Sequence, residues 1–188
     1  TSWAARACHT AVLRQTLAAK KSDHVSLNST WLVSGGLGGL GICGAGLLLS
    51  RGVSRIVLAS RSGQVARAGQ GLAEQLRKFG RAAAATACDN SDPVMMTALR
   101  MRDANIVGAL HTAGIVADAF LWKVSASLIS KVHAPKAVAA AALHEVFAST
   151  ALEALVLFSS GAATFGSPGQ AIYGAANTIL DSLALHRR

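Results

Sequence analysis

The sequence predicts an α/β fold: a Rossmann-type, doubly wound parallel sheet with helices on both faces. Short apolar runs that end in Gly, Ser, Asp or Asn alternate with Ala- and Leu-rich segments of helical length. This alternation is typical of βαβ units with right-handed crossovers. Hydrophobic residues make up 52% of the chain and charged residues only 14%, which suits strands that are buried on both faces. A chain of 188 residues is long enough for one domain with a sizeable core.

Five segments are predicted to be strands and five to be helices, after an N-terminal part (1–29) with room for a short helix from Ala4 to Ala19. The predicted strands are Thr30–Ser34, Arg55–Ser60, Ala82–Cys88, Ile106–His111 and Ala154–Ser159. The predicted helices are Gly41–Arg51, Gln64–Phe79, Pro93–Arg102, Ser125–Ala148 and Tyr173–His186. In such a sheet, ligands bind beyond the carboxyl ends of the strands, so those ends are where functional residues are expected.

Charge and cysteine content exclude several classes of function. The net charge is +9, from 18 basic and 9 acidic residues, but the basic residues are scattered and form no stripe, which disfavours a nucleic-acid-binding protein. The three cysteines are far apart and lack C-x-x-C spacing, which disfavours a disulfide framework and a zinc site. They favour a reducing compartment, and we expect a cytoplasmic protein, with a plastid left open. The histidines form no cluster with metal-ligand spacing, so no metal is expected.

Two charge-free stretches, Thr30–Ser50 and Ala154–Leu180, are long enough for a membrane-spanning helix. The first carries seven glycines, and the second contains a Gly-Ser-Pro-Gly run from residue 166 to residue 169. Both patterns are more typical of a strand, a loop and a helix in succession. The sequence therefore predicts no membrane span.

A glycine-rich segment follows the first predicted strand and opens the first predicted helix. It holds five glycines in seven residues. Its members are Gly35, Gly36, Leu37, Gly38, Gly39, Leu40 and Gly41. Glycines let a backbone approach a ligand closely, and a helix N-terminus offers free N–H groups to a pyrophosphate. The segment therefore predicts a dinucleotide site, although glycines also serve in plain turns.

The residues at the ends of the second, third and fourth predicted strands indicate which cofactor binds. The second strand ends in Ser60-Arg61, where an NAD site usually has an acidic residue for the ribose hydroxyls. An arginine beside a hydroxyl suits a 2′-phosphate, so Arg61 predicts NADPH; the alternative is an ordinary solvated arginine. Further cofactor contacts are expected from Asp89, after the third strand, and from the fourth strand end. There the candidates are His111, Ala113 and Gly114.

A group of polar residues near the last strand and helix could act on one carbonyl oxygen. Ser160 follows the fifth strand, and Tyr173 lies on the next predicted helix. Asn177 is four residues beyond Tyr173, a spacing that puts both on one helical face. Lys136 lies on the long preceding helix. A lone tyrosine is usually a packing residue, and only its spacing to Ser160 and Asn177 makes Tyr173 a catalytic candidate.

From about residue 30 to residue 188 the sequence resembles the ketoreductase domains of modular polyketide synthases, in the short-chain dehydrogenase/reductase superfamily. The matching strings are Leu32–Gly41, Ser60–Gly63, His111–Gly114, Ala134–Lys136, Leu157–Ser160 and Gly166–Asn177. They run in the family's order over more than four-fifths of the chain. Free-standing members of the superfamily usually have lysine where this chain has Asn177. Here the lysine is upstream, at Lys136, as in the synthase ketoreductases.

The resemblance implies a role for each of these residues. Tyr173 would donate a proton to the developing alkoxide, and the neighbouring Lys136 cation would favour its phenolate form. Ser160 would bind the carbonyl oxygen, and Asn177 would organise the lysine and a proton-relay water. NADPH would supply the hydride.

Two positions that bear on product stereochemistry depart from the family patterns. B-type members usually carry Leu-Asp-Asp shortly after the His-x-Ala-Gly string, and here only Asp118 is kept. A-type members typically have tryptophan eight residues before the tyrosine, and here that residue is Phe165. We expect a B-type product on this basis.

The resemblance also implies the substrate and the partners. The substrate would be a β-ketoacyl chain on the phosphopantetheine arm of an acyl carrier protein, with other synthase domains in the same polypeptide. Residues 1–29 would be the tail of a preceding structural subdomain, and residues 30–188 a catalytic core truncated at its C-terminus. Two alternatives stay open: a catalytically inactive NADPH-binding structural domain, and a stand-alone dehydrogenase for small alcohols, which Asn177 disfavours.

Overall fold

The computed structural model describes residues 29–66 and 69–187, and five of its segments form one parallel sheet. The strands are β1 (Thr30–Ser34), β2 (Arg55–Ser60), β3 (Ala83–Ala87), β4 (Ile106–His111) and β5 (Ala154–Leu157). Their order across the sheet is β3-β2-β1-β4-β5. The predicted doubly wound α/β fold is confirmed. The helix considered over Ala4–Ala19 and nearly all of the predicted N-terminal tail lie outside the described residues.

Helices connect the strands and cover both faces of the sheet. The helices are α1 (Gly39–Ser50), α2 (Leu72–Lys78), α3 (Pro93–Arg102), α4 (Ala126–His133), α5 (Ala139–Val146), α6 (Gly161–Phe165) and α7 (Ala171–His186). A π turn, Ala134–Val138, joins α4 to α5. Short 3₁₀ turns lie at Gly80–Ala82 and Leu121–Lys123. Within the described ranges, no helix is long and apolar enough to cross a membrane.

The core consists of two apolar layers, one on each face of the sheet. Successive strand residues point to opposite faces, and β1 follows this rule with two neighbouring side chains. Leu32 belongs to one layer, with Met96 of α3 and Leu143 of α5. Val33 belongs to the other layer, with Ala45 of α1. A strand that is buried on both faces has no polar alternation, which is why the sequence shows apolar runs here.

The strand order reverses at β1, and this reversal positions the site. β1 pairs with β2 on one side and with β4 on the other, and all these pairs are parallel. The connections that leave β1 and β4 therefore diverge to opposite sides of the sheet, and a crevice opens between them at the carboxyl ends. The glycine-rich segment and the 111–114 string both begin at this crevice.

Two helix predictions were wrong in extent. The helix predicted over Gln64–Phe79 is confined to α2, because Gly69 and Gly71 inside the predicted range have positive φ angles that interrupt a helix. The helix predicted over Ser125–Ala148 is interrupted by the π turn, which contains Pro135. Proline has no N–H to donate and disturbs regular helical bonding. The short helix α6 was not predicted at all.

Close packing of main chain fixes the connection from β1 to α1. The N–H of Gly36 donates to the carbonyl of Ala59 in β2 at 3.0 Å. A Cβ at position 36 would lie 2.6 Å from the carbonyl oxygen of Val33 and 2.8 Å from the Cα of Leu58. Only glycine allows the turn to lie this close to β2.

We expect Gly36→Ala to lower the free energy of unfolding by about 1–3 kcal/mol, the usual cost of overpacking. The added methyl group would meet main-chain atoms, which move less readily than side chains. Urea denaturation measures the change. Gly39→Ala is the matched control, because a Cβ at position 39 meets nothing within 4 Å. Equal stability of the two variants would contradict the close-packing explanation.

Candidate active site

The first part of the site is the N-terminus of α1, which follows the glycine-rich segment. The N-cap residue Gly38 has no side chain to bond the free amides, and no acidic residue lies in the first turn. The N–H groups of the first turn are therefore open to an external acceptor, and the helix dipole favours an anion there. This arrangement fits the pyrophosphate of a dinucleotide.

The glycines of this segment fall into two groups. Gly35 has a φ of 71°, and a Cβ on it would lie 2.6 Å from main-chain atoms of Ala113 after β4. In contrast, a Cβ on Gly38 would meet one atom at 3.4 Å, and one on Gly39 would meet nothing within 4 Å. Gly35 joins the ends of β1 and β4, whereas Gly38 and Gly39 leave room beside the helix N-terminus. We call residues 35–41 the glycine cradle, and a dinucleotide fits it.

The ends of β2 and β3 form the second part of the site. The hydroxyl of Ser60 accepts from the N–H of Gly63 at 3.1 Å and so shapes the turn after β2. Arg61 is exposed and has no ion-pair partner within the described ranges. Its guanidinium is therefore free to bind an anionic ligand.

Asp89, after β3, is held close to this turn. Its carboxylate accepts from the hydroxyl and the N–H of Ser91, at 2.6 and 3.0 Å. These hydrogen bonds lower the pKa of Asp89, and the charge of Arg61 acts in the same direction. The carboxylate is therefore ionised at neutral pH, with a fixed orientation.

His111 lies at the end of β4, but its imidazole is not available to a ligand, because both ring nitrogens are hydrogen-bonded inside the protein. It is fully buried, and its Nδ1 and Nε2 lie 3.0 and 2.9 Å from Ser34 Oγ and the Lys136 carbonyl oxygen. Any cofactor contact at this residue would have to come from its main chain. Gly114, the last residue of the string, lies beside Lys136: a Cβ there would be 3.3 Å from the lysine Nζ.

The π turn directs the side chain of Lys136 into the protein. The residue is only 4% exposed, and its Nζ donates to the carbonyl of Phe158 at 2.9 Å. The same Nζ lies 5.4 Å from the centre of the Tyr173 ring. Burial lowers the pKa of Lys136, and the charge of Asp181 opposes that effect. The structure thus brings a buried cation next to the candidate acid.

Tyr173 and Asn177 share one face of α7, as their spacing predicts. Asn177 is fully buried, and its Nδ2 donates to the carbonyl of Tyr173 at 2.7 Å. Its Oδ1 is buried and has no partner among the described residues. A buried amide oxygen without a partner is costly, so this atom is suited to accept from a group or water that enters the site.

Ser160 is the N-cap of the short helix α6. Its Oγ accepts from the N–H of Ala162 at 3.2 Å, which orients the oxygen and leaves its own hydrogen free to donate. Ser159, its neighbour, instead donates to the carbonyl of Asn177 at 3.4 Å. The sequence did not predict α6, and the capping role of Ser160 follows from that helix.

The two predicted stereochemical residues occupy different places. Asp118 lines a cavity of about 190 Å³ together with Phe120 and Gly169, and the N–H of Ala119 donates to the carbonyl of Gly169 at 2.8 Å. Phe165 ends α6, is 62% exposed and is not part of this cavity lining. The structure therefore places Asp118, but not Phe165, in a defined recess between two loops.

Sequence reasoning missed three residues that support the site. The carbonyl of Phe158 holds the ammonium of Lys136, and Ser34 and Asn90 are hydrogen-bonded to each other beside His111. A backbone carbonyl leaves no signal in a sequence. Ser34 ends a predicted strand and Asn90 lies two residues after one, and only these positions could have indicated them.

The combination of a doubly wound sheet, a glycine cradle and a Lys136–Tyr173 pair agrees with comparisons to known proteins. Residues 29–188 match the model of the KR domain family. The chain belongs to this family. It is a ketoreductase domain of the modular polyketide synthase type, in the short-chain dehydrogenase/reductase superfamily.

Curated relatives of this KR domain are much longer proteins. Polyketide synthase GfsB of Streptomyces halstedii is 41% identical over 165 residues, which are 86% of this chain and 3% of that protein. Erythronolide synthase EryA2 of Saccharopolyspora erythraea is 36% identical over 87% of this chain and 5% of that protein. The chain thus spans a small part of the relatives that it matches.

Solved structures show the same fold. A structure described as A-type ketoreductases from a modular polyketide synthase is 38% identical, with a TM-score of 0.79, over 91% of this chain and 36% of that chain. The first ketoreductase of the tylosin polyketide synthase is 34% identical, with a TM-score of 0.76, over 92% and 37% of the two chains. The family implies a nicotinamide cofactor for the KR domain.

Burial of His111 gives the KR domain a pH-dependent stability. Burial lowers the pKa of His111 from 6.5 to about 4. Between these values the unfolded chain binds a proton that the folded chain does not, so stability falls as the pH decreases from 6.5 towards 4. The full effect of this one group is on the order of 3 kcal/mol.

We expect the free energy of unfolding, measured in urea at several pH values, to fall less steeply in His111→Asn than in the unmodified protein over this acid range. The variant is compared with the parent protein because other groups titrate in the same range. Parallel curves for the two proteins would show that His111 does not cause the dependence.

Proposed function

We propose that this KR domain reduces a β-ketoacyl thioester to a β-hydroxyacyl thioester with NADPH, within a polyketide or fatty acid synthase. The observation that carries the proposal is the position of the Lys136 ammonium, 5.4 Å from the ring of Tyr173. Asn177, with its free oxygen, lies one helical turn from Tyr173. A buried cation beside a phenol on the crevice side of the sheet is suited to proton transfer.

Each residue has a defined task in this proposal. Tyr173 donates its phenolic proton to the oxygen of the ketone as negative charge develops there. Lys136 stabilises the resulting phenolate, and its bond to the Phe158 carbonyl keeps the ammonium in place. Ser160, oriented by its bond to Ala162, donates to the same ketone oxygen. Asn177 Oδ1 accepts from a water that returns a proton to the site.

The proposal that NADPH is the cofactor rests on the glycine cradle at the start of α1 and on Arg61. The main-chain amides of residues 39–41, the first turn of α1, would hold the pyrophosphate, and Ser60, Arg61 and Asp89 would surround the adenosine end. NADPH, when bound, supplies the hydride that reduces the carbonyl carbon. The exposed guanidinium of Arg61 favours the 2′-phosphate of NADPH over the free hydroxyl of NADH.

The substrate and the partners are proposed from the family. The relatives are long multidomain synthases, so other synthase domains are proposed to act in the same polypeptide. The β-ketoacyl chain is proposed to arrive on the phosphopantetheine arm of an acyl carrier protein. The net charge of +9 is compatible with docking of an acidic partner.

Product configuration stays a prediction. Asp118 favours a B-type product and lines a recess between two loops. Two similar solved structures are described as A-type and A1-type ketoreductases, at 38% and 36% identity. Chiral analysis of the hydroxy product decides between the two types.

We expect Tyr173→Phe to lower kcat for NADPH oxidation with a β-ketoacyl thioester by about 100-fold or more, because the variant has no general acid. NADPH affinity should be unchanged, because the cradle lies at other strand ends. Absorbance of NADPH follows turnover, and fluorescence titration measures binding.

The parent protein provides the decisive comparison for this experiment. Tight NADPH binding without consumption would replace the reductase with the alternative of a structural domain. Turnover of free ketones but not of thioesters would instead favour a stand-alone dehydrogenase.

We expect Arg61→Ala to raise the KM for NADPH by about 10-fold or more while the KM for NADH stays the same, because only NADPH carries the phosphate that Arg61 would bind. Lys78→Ala is the matched control: it removes the same charge from an exposed position on α2. An equal increase in both KM values would show that Arg61 does not recognise the phosphate.

A further inference from the structure

A chain of hydrogen bonds runs through the interior from the end of β3 to the π turn. Asn90 Nδ2 lies 2.6 Å from Ser34 Oγ, and Ser34 Oγ lies 3.0 Å from Nδ1 of His111. His111 Nε2 lies 2.9 Å from the carbonyl oxygen of Lys136. All four residues are buried. The chain thus joins the ends of β3, β1 and β4 to the main chain of Lys136.

The direction of every bond follows from the chemistry of the Lys136 end. A carbonyl oxygen can only accept, so Nε2 of His111 carries the hydrogen. With its pKa near 4, the buried imidazole is neutral at physiological pH, and its Nδ1 therefore has no hydrogen and accepts. The hydroxyl of Ser34 must then donate to Nδ1.

The same reasoning fixes the orientation of Asn90. Since the hydrogen of Ser34 is used by His111, the oxygen of Ser34 can only accept from Asn90. The amide of Asn90 must therefore present its NH₂ group to Ser34. Its Oδ1 faces away and has no partner among the described residues, which is the cost of this orientation.

We propose that Asn90 and Ser34 are positioning residues for the reaction: they hold His111 in its Nε2–H tautomer, and His111 thereby fixes the Lys136 main chain and aims the lysine ammonium at Tyr173. None of the three touches the reacting atoms. The inference deepens the proposed function, because it assigns residues that place the Lys136–Tyr173 pair.

The bond to Lys136 matters because the π turn is an irregular part of the helix. The lysine side chain begins in this turn, and its Nζ must reach both the Phe158 carbonyl and the side of the Tyr173 ring. A displacement of the main chain at Lys136 moves the ammonium away from at least one of these. His111 holds the main chain from the sheet side, and among the described residues Lys136 is the one charged group that affects its ionisation.

Asn90→Asp tests the donor-to-acceptor direction of these hydrogen bonds, because the two side chains have almost the same shape. A carboxylate at position 90 can only accept, so it draws the hydrogen of Ser34 away from His111. A neutral His111 can then bond Ser34 only if its hydrogen moves to Nδ1, and in that tautomer Nε2 and the Lys136 carbonyl oxygen are both acceptors and repel each other. If the hydrogen stays on Nε2, the same repulsion arises between Nδ1 and the oxygen of Ser34, so His111 loses one of its two bonds in either tautomer. Asn90→Ala removes the bond from Asn90 to Ser34. It leaves Ser34 able to donate to His111, and His111 able to donate to the Lys136 carbonyl.

We expect kcat at about pH 8 to fall about 10-fold or more in Asn90→Asp and by less in Asn90→Ala. A packing role predicts the opposite order, because alanine leaves a cavity and aspartate does not. KM for NADPH, measured separately, reports any effect of the new charge on the cofactor. A smaller kcat loss in Asn90→Asp than in Asn90→Ala would overturn the proposal.

The pH profile gives a second readout. A carboxylate beside the chain favours protonation of His111, and an imidazolium donates from both nitrogens. The bond to the Lys136 carbonyl is then restored, so kcat of Asn90→Asp relative to the parent protein should recover as the pH falls towards about 6. Asn105→Asp is the matched control, because it introduces the same charge at an exposed position at the amino end of β4, whereas the site lies at the carboxyl ends of the strands. The same recovery in the control would overturn the proposal.

The chain contains a single tyrosine, which allows a readout that needs no turnover. In protein labelled with ¹³C on the tyrosine ring, one signal reports on Tyr173. We expect this signal to shift in Asn90→Asp and to move back at acid pH, and to stay in place in Asn105→Asp. An unchanged signal in Asn90→Asp would overturn the inference. Failure of the proposed function would instead show as a parent protein that binds NADPH but reduces no thioester.

Discussion

Main-chain contact between the ends of β1 and β4 is the constraint on which the whole site depends. The two strands are parallel neighbours, and the turn at Gly35 lies against Ala113 closely enough that a Cβ would lie 2.6 Å from its main chain. This contact places the N-terminus of α1 and the 111–114 string on opposite sides of one crevice. Because the strand order reverses here, the connections from β1 and β4 leave to opposite sides of the sheet, and a cofactor can enter the crevice between them.

The buried lysine is the second determinant, and it illustrates what a catalytic site requires from its surroundings. An ammonium taken out of water is unfavourable unless it gains partners. Lys136 gains the Phe158 carbonyl and the more distant charge of Asp181, while burial still lowers its pKa. A lysine on a regular surface helix would avoid this cost. The π turn, which directs the side chain inward, is thus better explained by function than by stability.

Local signals predicted some elements well and others poorly. β1, β2, β4 and α3 have the bounds predicted from the sequence, because each is a short apolar run with polar or glycine residues at its ends, or a helix with an N-cap and proline at its start. In α3 the cap is Asp92, which accepts from the amides of Val94 and Met95. The helix predicted from residue 64 was too long, because Gly69 and Gly71 take positive φ angles and the helix begins only at Leu72. The π turn was not predicted, because Pro135 in a helical pattern indicates a disturbance but not its type.

The sequence by itself determined the fold class, the strand ends that carry the glycine cradle, and the identity of Ser160, Tyr173, Lys136 and Asn177 as candidates. It could do so because strand periodicity and glycine spacing are local properties, and because a family resemblance connects distant motifs. Only the tertiary structure decided which groups meet: the Lys136 ammonium beside Tyr173, and His111 as an internal link to Ser34 rather than a free imidazole. Ser34 and His111 are 77 residues apart in the chain. Their contact depends on the lateral order of the strands, and no local pattern encodes that order.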